Sequence, residues 1–174
     1  MRHCVSRCDM IFDLKDVFEG DGVSRVVSFE LDLHDIQLDG SYPFSSPAKV
    51  TATASNKTGI VKLLIDADFK YNRPCDRCMK SLSEEMSYSF EHRLVTSLCG
   101  QDDGDYIETP DYHLELDELV TSDILLELPS KFLCSEDCKG LCIKCGKNLN
   151  DGNCSCDTRA VDPRLEVLKQ LIDN

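Results

Sequence analysis

Six of the cysteines in this chain fall within twenty-three residues, as Cys134-x3-Cys138-x3-Cys142-x2-Cys145-Gly146-x7-Cys154-x-Cys156, and a further pair, Cys75-x2-Cys78, stands in mid-chain. Thiols this dense must either pair as disulfides or hold a soft metal. The N-terminus, Met-Arg-His-Cys-Val-Ser-Arg-Cys-Asp, has no apolar stretch of a signal peptide, so the expected compartment is the reducing cytoplasm, where close cysteine pairs point to metal. The odd total of eleven cysteines also argues against a fully paired framework.

The Cys-x2-Cys spacing lets one tight turn aim two thiolates at one ion. Gly146 follows Cys145 where a left-handed backbone is wanted. Asn148, Asn150, Asp151, Gly152 and Asn153 then supply enough turn formers to bring Cys154 and Cys156 back against the first pair. Four thiolates in tetrahedral reach predict a structural zinc site with no open coordination position, formed by Cys142, Cys145, Cys154 and Cys156. The remaining Cys75, Cys78, Cys134 and Cys138 predict a second zinc, with Cys134 and Cys138 spaced to share one helical turn. The alternative is a single zinc whose ligands are drawn differently from the six C-terminal thiols, leaving Cys75 and Cys78 as a free dithiol. Cys4, Cys8 and Cys99 read as bystanders.

Alternation marks the strands. Phe29, Leu31 and Leu33 alternate with Glu30 and Asp32 at the end of a run from Val23 to Leu33. The stretch Ser41 to Pro47 breaks structure. Runs from Ala48 to Ala54 and from Ile60 to Tyr71 flank Asn56-Lys-Thr-Gly59 and predict a hairpin with a loop of about four residues. Met86 to Val95 adds a fourth antiparallel strand.

The pattern then becomes helical. Leu116, Leu119, Val120, Ile124 and Leu128 share a face, with Asp117 as the expected cap and Pro129 as the stop. Asp162-Pro163 followed by Leu165, Leu168, Leu171 and Ile172 predicts a closing helix. The fold class expected is α+β: an antiparallel β-sheet, open or barrel-like, with C-terminal helices and a cysteine-rich zinc module. Residues 1–9 form an N-terminal extension if the domain begins at Met10. Residues 10–128 form a β-rich core with one helix, and 129–174 carry the zinc module and last helix, all within one integrated domain.

Catalytic patterns are missing. His3, His34, His92 and His113 are scattered, and neither a His-Glu-x2-His motif nor a serine elbow occurs. Gly140-x5-Gly146-Lys147 is one residue too long for a phosphate loop. The expectation is a protein that is not an enzyme.

Charge narrows the partners. The net charge of −13 is a poor footprint for nucleic acid. From Asp102 to Glu118 the chain carries Asp102, Asp103, Asp105, Glu108, Asp111, Glu115, Asp117 and Glu118 with no Lys or Arg. That is a solvated loop into a helix start or a docking surface for a basic partner. Between Lys131 and Arg164 six basic residues face five acids, and a zinc held by four thiolates adds −2, so the module is not a basic finger. DNA binding and membrane insertion are not expected.

The string Leu128-Pro-x3-Leu133-Cys134-x3-Cys138-Lys-Gly-Leu-Cys142-x2-Cys145-Gly-x-Asn148-Leu-Asn150-x3-Cys154-x-Cys156, with Asp162-Pro-Arg-Leu165 after it, resembles the YceD family. Cys75-Asp-Arg-Cys78-Met79 resembles that family's Cys-x-Arg-Cys-Leu signature, and the resemblance covers the chain after Met10. It implies a bacterial or plastid ribosome-biogenesis factor that promotes accumulation or processing of large-subunit (23S) ribosomal RNA. The partner it implies is a ribosomal protein or pre-ribosomal particle, with direct RNA contact left open. Some relatives lack the C-terminal cysteines, which makes zinc a structural accessory. A redox-controlled zinc-thiolate chaperone is the alternative reading, and a zinc-ribbon transcription factor would need a basic surface that the composition does not favour.

Overall fold

Period-two burial builds the sheet. In the computed structural model, which describes residues 10–97 and 106–156, a strand β1 (Ile11–Asp13) leads into a short helix α1 (Lys15–Glu19). Strands β2 (Ser24–Leu31), β3 (Ala48–Lys57), β4 (Ile60–Pro74) and β5 (Ser81–Val95) follow. After them come β6 (Tyr106–Glu108), β7 (His113–Glu115), helix α2 (Leu116–Glu127) and a single 3-10 turn, Leu149–Asp151.

The chain divides into two units. One takes Met1–Arg73 with Ser83–Ser130; the other takes Pro74–Leu82 with Lys131–Asn174.

In the first unit the sheet order is β2-β3-β4-β5-β6. β2 and β3 are antiparallel with Phe29 opposite Val50, and β3 and β4 are antiparallel with Ala52 opposite Ile65. Between β4 and β5, Ser87 bonds to Asp68 while Lys62 pairs with Glu91 at 2.6 Å. Partner numbers that fall on one strand as they rise on the other are those of an antiparallel pair. Along β4 the buried positions are Val61, Leu63, Ile65, Ala67, Phe69 and Tyr71, each separated by an exposed one. Opposite them in register, Ala48, Val50, Ala52 and Ala54 of β3 are buried to 1% exposure or less. Small residues on β3 leave room for the large ones on β4.

Aromatic rings close one end of this layer, with centroids of Phe44 and Phe69 at 5.7 Å and of Phe69 and Tyr88 at 5.4 Å. Helix α2 buries Leu116, Val120 and Ile124. It is tied to β5 by His92 and Asp123, 2.7 Å apart. Asn56, only 5% exposed, donates from Nδ2 to the Val17 carbonyl at 2.9 Å and so fixes α1 against the β3 end.

Several expectations are corrected. The sheet is not a barrel and not wholly antiparallel: it is open, with β2 and β6 as its edges, and β6 runs parallel to β5 through Arg93 opposite Tyr106. A three-residue strand carries no alternation to read and is too short to close a ring. The β3–β4 loop has two residues, Thr58 and Gly59, not about four, because Lys57 still pairs with Ile60. β5 begins at Ser81, five residues before Met86, along a stretch exposed except for the half-buried Leu82. Asp117 is not the cap of α2. Glu115 holds that position without a side-chain bond, and the Asp117 carboxylate accepts from the Met10 N–H at 3.1 Å. β1, α1 and β7 were not foreseen; β1 pairs with β7 through Phe12 opposite Leu114. The expected helix after Asp162, the extension before Met10, His3 and the bystanders Cys4, Cys8 and Cys99 lie outside the described residues. No described helix is long and apolar enough to cross a membrane.

Candidate metal centre

Two turns of the same design present the thiols of the second unit. In one, the Met79 N–H donates to the Cys75 carbonyl at 2.9 Å; in the other, the Gly146 N–H donates to the Cys142 carbonyl at 2.8 Å. The residue closing each turn is left-handed, Gly146 at φ 71° and Met79 at φ 60°. The first knuckle therefore makes its turn without the trailing glycine that the spacing asks for, and Met79 takes the strained conformation instead.

Across from the first knuckle, Cys134 and Cys138 do not share a helical turn. Cys134 lies at a bend and Cys138 follows a turn, its N–H donating to the Ser135 carbonyl at 3.1 Å. The two segments are laced together. Asp76 donates its N–H to the Phe132 carbonyl at 2.9 Å and accepts from the Phe132 N–H through Oδ2 at 2.8 Å. Arg77 donates from one guanidinium nitrogen to the carbonyls of Glu136 at 3.2 Å and Cys138 at 2.9 Å.

The Sγ atoms of Cys75, Cys78, Cys134 and Cys138 all lie within 4.8 Å of one another, and so do those of Cys142, Cys145, Cys154 and Cys156. None of the eight is in a disulfide. Cys75 Sγ is 3.8 Å from Cys138 Sγ, and Cys78 Sγ is 3.6 Å from Cys134 Sγ. Four sulfurs on a tetrahedron with bonds of about 2.3 Å would stand about 3.8 Å apart. The donor set and its spacing thus fit one metal ion per tetrad. Cys134 and Cys138 turn to Cys75 and Cys78 rather than to the other four thiols, so no dithiol is left over among these eight.

The tetrads differ in cover. Cys75, Cys78 and Cys138 are buried, at 0%, 5% and 3% exposure, among Leu82, Leu133 and Leu141. In the second tetrad only Cys142 is buried, while Cys145 is exposed.

Backbone amides, the Asn150 side chain and neighbouring thiols push the sulfurs of each tetrad in different directions. Burial pushes Cys75 up, yet N–H donors of Cys134, Cys78 and Arg77 outweigh it and bring the thiol down to about 6. N–H donors of Cys145 and Lys144 bring Cys142 to about 6. Cys138 is lowered, first by the Asn150 side chain, whose Nδ2 donates to Cys138 Sγ at 3.3 Å. Cys134 is pushed up to about 12 by its neighbours Cys138 and Cys78, and Cys156 to about 12 by Cys145. Each cluster therefore already carries thiolate and still has protons to give up to a metal.

Arg77 and Asn150 are the residues that spacing arguments overlooked. The signal was present in both cases: an Arg inside a Cys-x2-Cys turn, and an Asn in a 3-10 turn between two ligand pairs. Gly140 and Gly146 belong to the knuckles, with Leu149 N–H donating to the Gly140 carbonyl at 2.9 Å. His34 is engaged by Asp32 at 2.6 Å and Asp35 at 3.0 Å, and His113 Nδ1 lies 2.6 Å from the Asp111 carbonyl. None of the described histidines joins a tetrad.

No curated protein and no solved structure matches the chain. A scan against protein families matches residues 63–172 to the large ribosomal RNA subunit accumulation protein YceD, a span that takes in both tetrads. The chain belongs to the YceD family of large ribosomal RNA subunit accumulation proteins.

Proposed function

We propose that this protein is a non-enzymatic, zinc-binding ribosome-biogenesis factor that promotes accumulation or processing of large-subunit ribosomal RNA. The family match over residues 63–172 carries the reading. Zinc is the ion that four thiolates at this spacing suit best, and a site filled by four protein ligands leaves no position for substrate or water. The ion's role is to hold the knuckles closed.

The net charge of −13 supports docking on a basic ribosomal protein rather than direct grip on phosphates. Of the carboxylate run, Glu108, Asp111, Glu115, Asp117 and Glu118 fall within the described residues, and Glu108, Asp111, Glu115 and Glu118 are exposed. Depletion of the protein followed by RNA profiling tests the function: the ratio of large- to small-subunit ribosomal RNA should fall, and an unchanged ratio overturns the proposal. Crosslinking and affinity purification from growing cells, scored for ribosomal proteins against RNA, tests the partner. Metal analysis should find two zinc ions per chain, and one in each of the variants Cys75→Ser and Cys142→Ser.

A further inference from the structure

The loop that separates the ligand pairs of the second tetrad is also fastened to the first. Residues 146–153 run from Cys145 to Cys154, so an ion held by Cys142, Cys145, Cys154 and Cys156 closes them into a ring. Lys147 accepts from the Cys142 N–H at 2.8 Å, Leu141 bridges to Asn148, and Leu149 donates to the Gly140 carbonyl at 2.9 Å. At the apex sits Asn150. Its own N–H donates to Asn148 Oδ1 at 3.0 Å, and its Oδ1 accepts from the Lys139 N–H at 2.8 Å. Its Nδ2 is divided between Asn148 Oδ1 at 2.9 Å and the sulfur of Cys138, a member of the other tetrad, at 3.3 Å. Every polar atom of this side chain is thus used to aim one N–H at a ligand atom of the first site.

We propose that the two tetrads bind metal cooperatively, and that Asn150 is the positioning residue that couples them. This rests on the reading of the tetrads as metal sites. An ion in the second tetrad fixes the loop, and the ordering cost of residues 146–153 is then already met when Asn150 supports Cys138. The hydrogen bond stabilises the thiolate that the first ion needs, as partners beyond the ligands do in metal sites generally. By linkage the benefit is mutual: an ion in the first tetrad holds Cys138 where Asn150 can reach it, and so favours closure of the second.

Titration of the full chain with Co2+ reads the affinities. Cys154→Ser disables the second tetrad and should weaken Co2+ binding at the first by about tenfold. Asn150→Asp keeps an acceptor for the Lys139 N–H but removes the donor to Cys138. It should weaken the first site by about tenfold with all eight cysteines present. The double variant should lose no more than twofold beyond Asn150→Asp alone, because both changes remove one and the same contact. Cadmium NMR adds a readout that general loosening would not give. Of two Cd2+ resonances, the one absent in Cys75→Ser should move in Asn150→Asp, and the other should stay. The proposal is overturned if Cys154→Ser leaves the first site's affinity unchanged, if the two losses multiply, or if the first-site resonance does not move. Co2+ bound at both tetrads with independent affinities removes the coupling alone; no Co2+ uptake at either removes the metal reading with it.

Discussion

Gly140 touches Arg77 where the two cysteine segments cross. A Cβ on Gly140 would stand 3.0 Å from the Arg77 carbonyl oxygen, the atom that accepts the Leu141 N–H at 3.1 Å. Gly140 is also left-handed, at φ 73°. Gly146 has nearly the same backbone, φ 71°, with nothing within 4 Å of its Cβ position. The two glycines separate strain from crowding. Gly146→Ala should cost about 1 kcal/mol, the penalty of the left-handed backbone. Gly140→Ala should cost roughly 2–4 kcal/mol, because the carbonyl it meets cannot withdraw without losing the Leu141 bond. Denaturant unfolding of both variants with metal present measures the difference, and equal costs would contradict the close approach.

Adjacent residues of β4 should respond very differently to the same change. Ile65 is fully buried opposite Ala52, whereas Leu64 is 41% exposed opposite Thr53. Ile65→Ala should destabilise the sheet by about 3 kcal/mol through lost burial and a residual cavity. Leu64→Ala should cost less than about 1 kcal/mol. A one-residue shift in register would exchange the two results, so unfolding midpoints of the pair check the strand face directly.

The turn between β3 and β4 can be improved. Thr58 and Gly59 have φ 56° and 81°, the pattern of a tight turn in which both central residues are left-handed. Glycine accepts this freely, but a β-branched threonine does not. Thr58→Asn supplies the favoured Asn-Gly pair and should raise stability by about 0.5–1 kcal/mol. Thermal unfolding should show the rise, and a fall would mean that the Thr58 Oγ1 bond to the Lys57 carbonyl matters more.

How much of this was legible follows from where each signal resides. β4 could be read from its first residue, Ile60, to within three of its last, because Leu63, Ile65, Ala67 and Phe69 alternate with charged or outward positions. β6 and β7 could not, since three residues hold less than two periods. Helix α2 announced itself by spacing and by Pro129, but the role of Asp117 was hidden. A carboxylate in a first turn can cap locally or, as here, accept from a backbone N–H, that of Met10, more than a hundred residues away. The eight ligand candidates stood out from the eleven cysteines by their spacing. Spacing and turn formers grouped Cys142, Cys145, Cys154 and Cys156, whereas the joining of the other four rests on long-range packing between residue 75 and residue 138. Asp39 and Gly40, at φ 48° and 79°, form another tight turn that the Asp-Gly pair should have signalled.

Proton release on metal binding is the sharpest check on the electrostatics of the tetrads. At about pH 7.5 a thiol lowered to about 6 is already thiolate, so Cys75 and Cys142 give up no proton when an ion arrives. Cys134 and Cys156, pushed up to about 12, must each release one, and Cys78, raised above its ordinary value, a third. Filling both tetrads should therefore release between three and six protons, not the eight expected of ordinary thiols. Calorimetric titration in buffers of different ionisation enthalpy counts them. The sign of the pH dependence follows. Metal affinity falls as pH drops, because protons compete for the raised thiols throughout. It falls more steeply below about 6, where Cys75 and Cys142 also begin to take up protons. A release of eight protons at about pH 7.5, or a slope that does not steepen below about 6, would show that the backbone amides around Cys75 and Cys142 do not hold charge on those sulfurs.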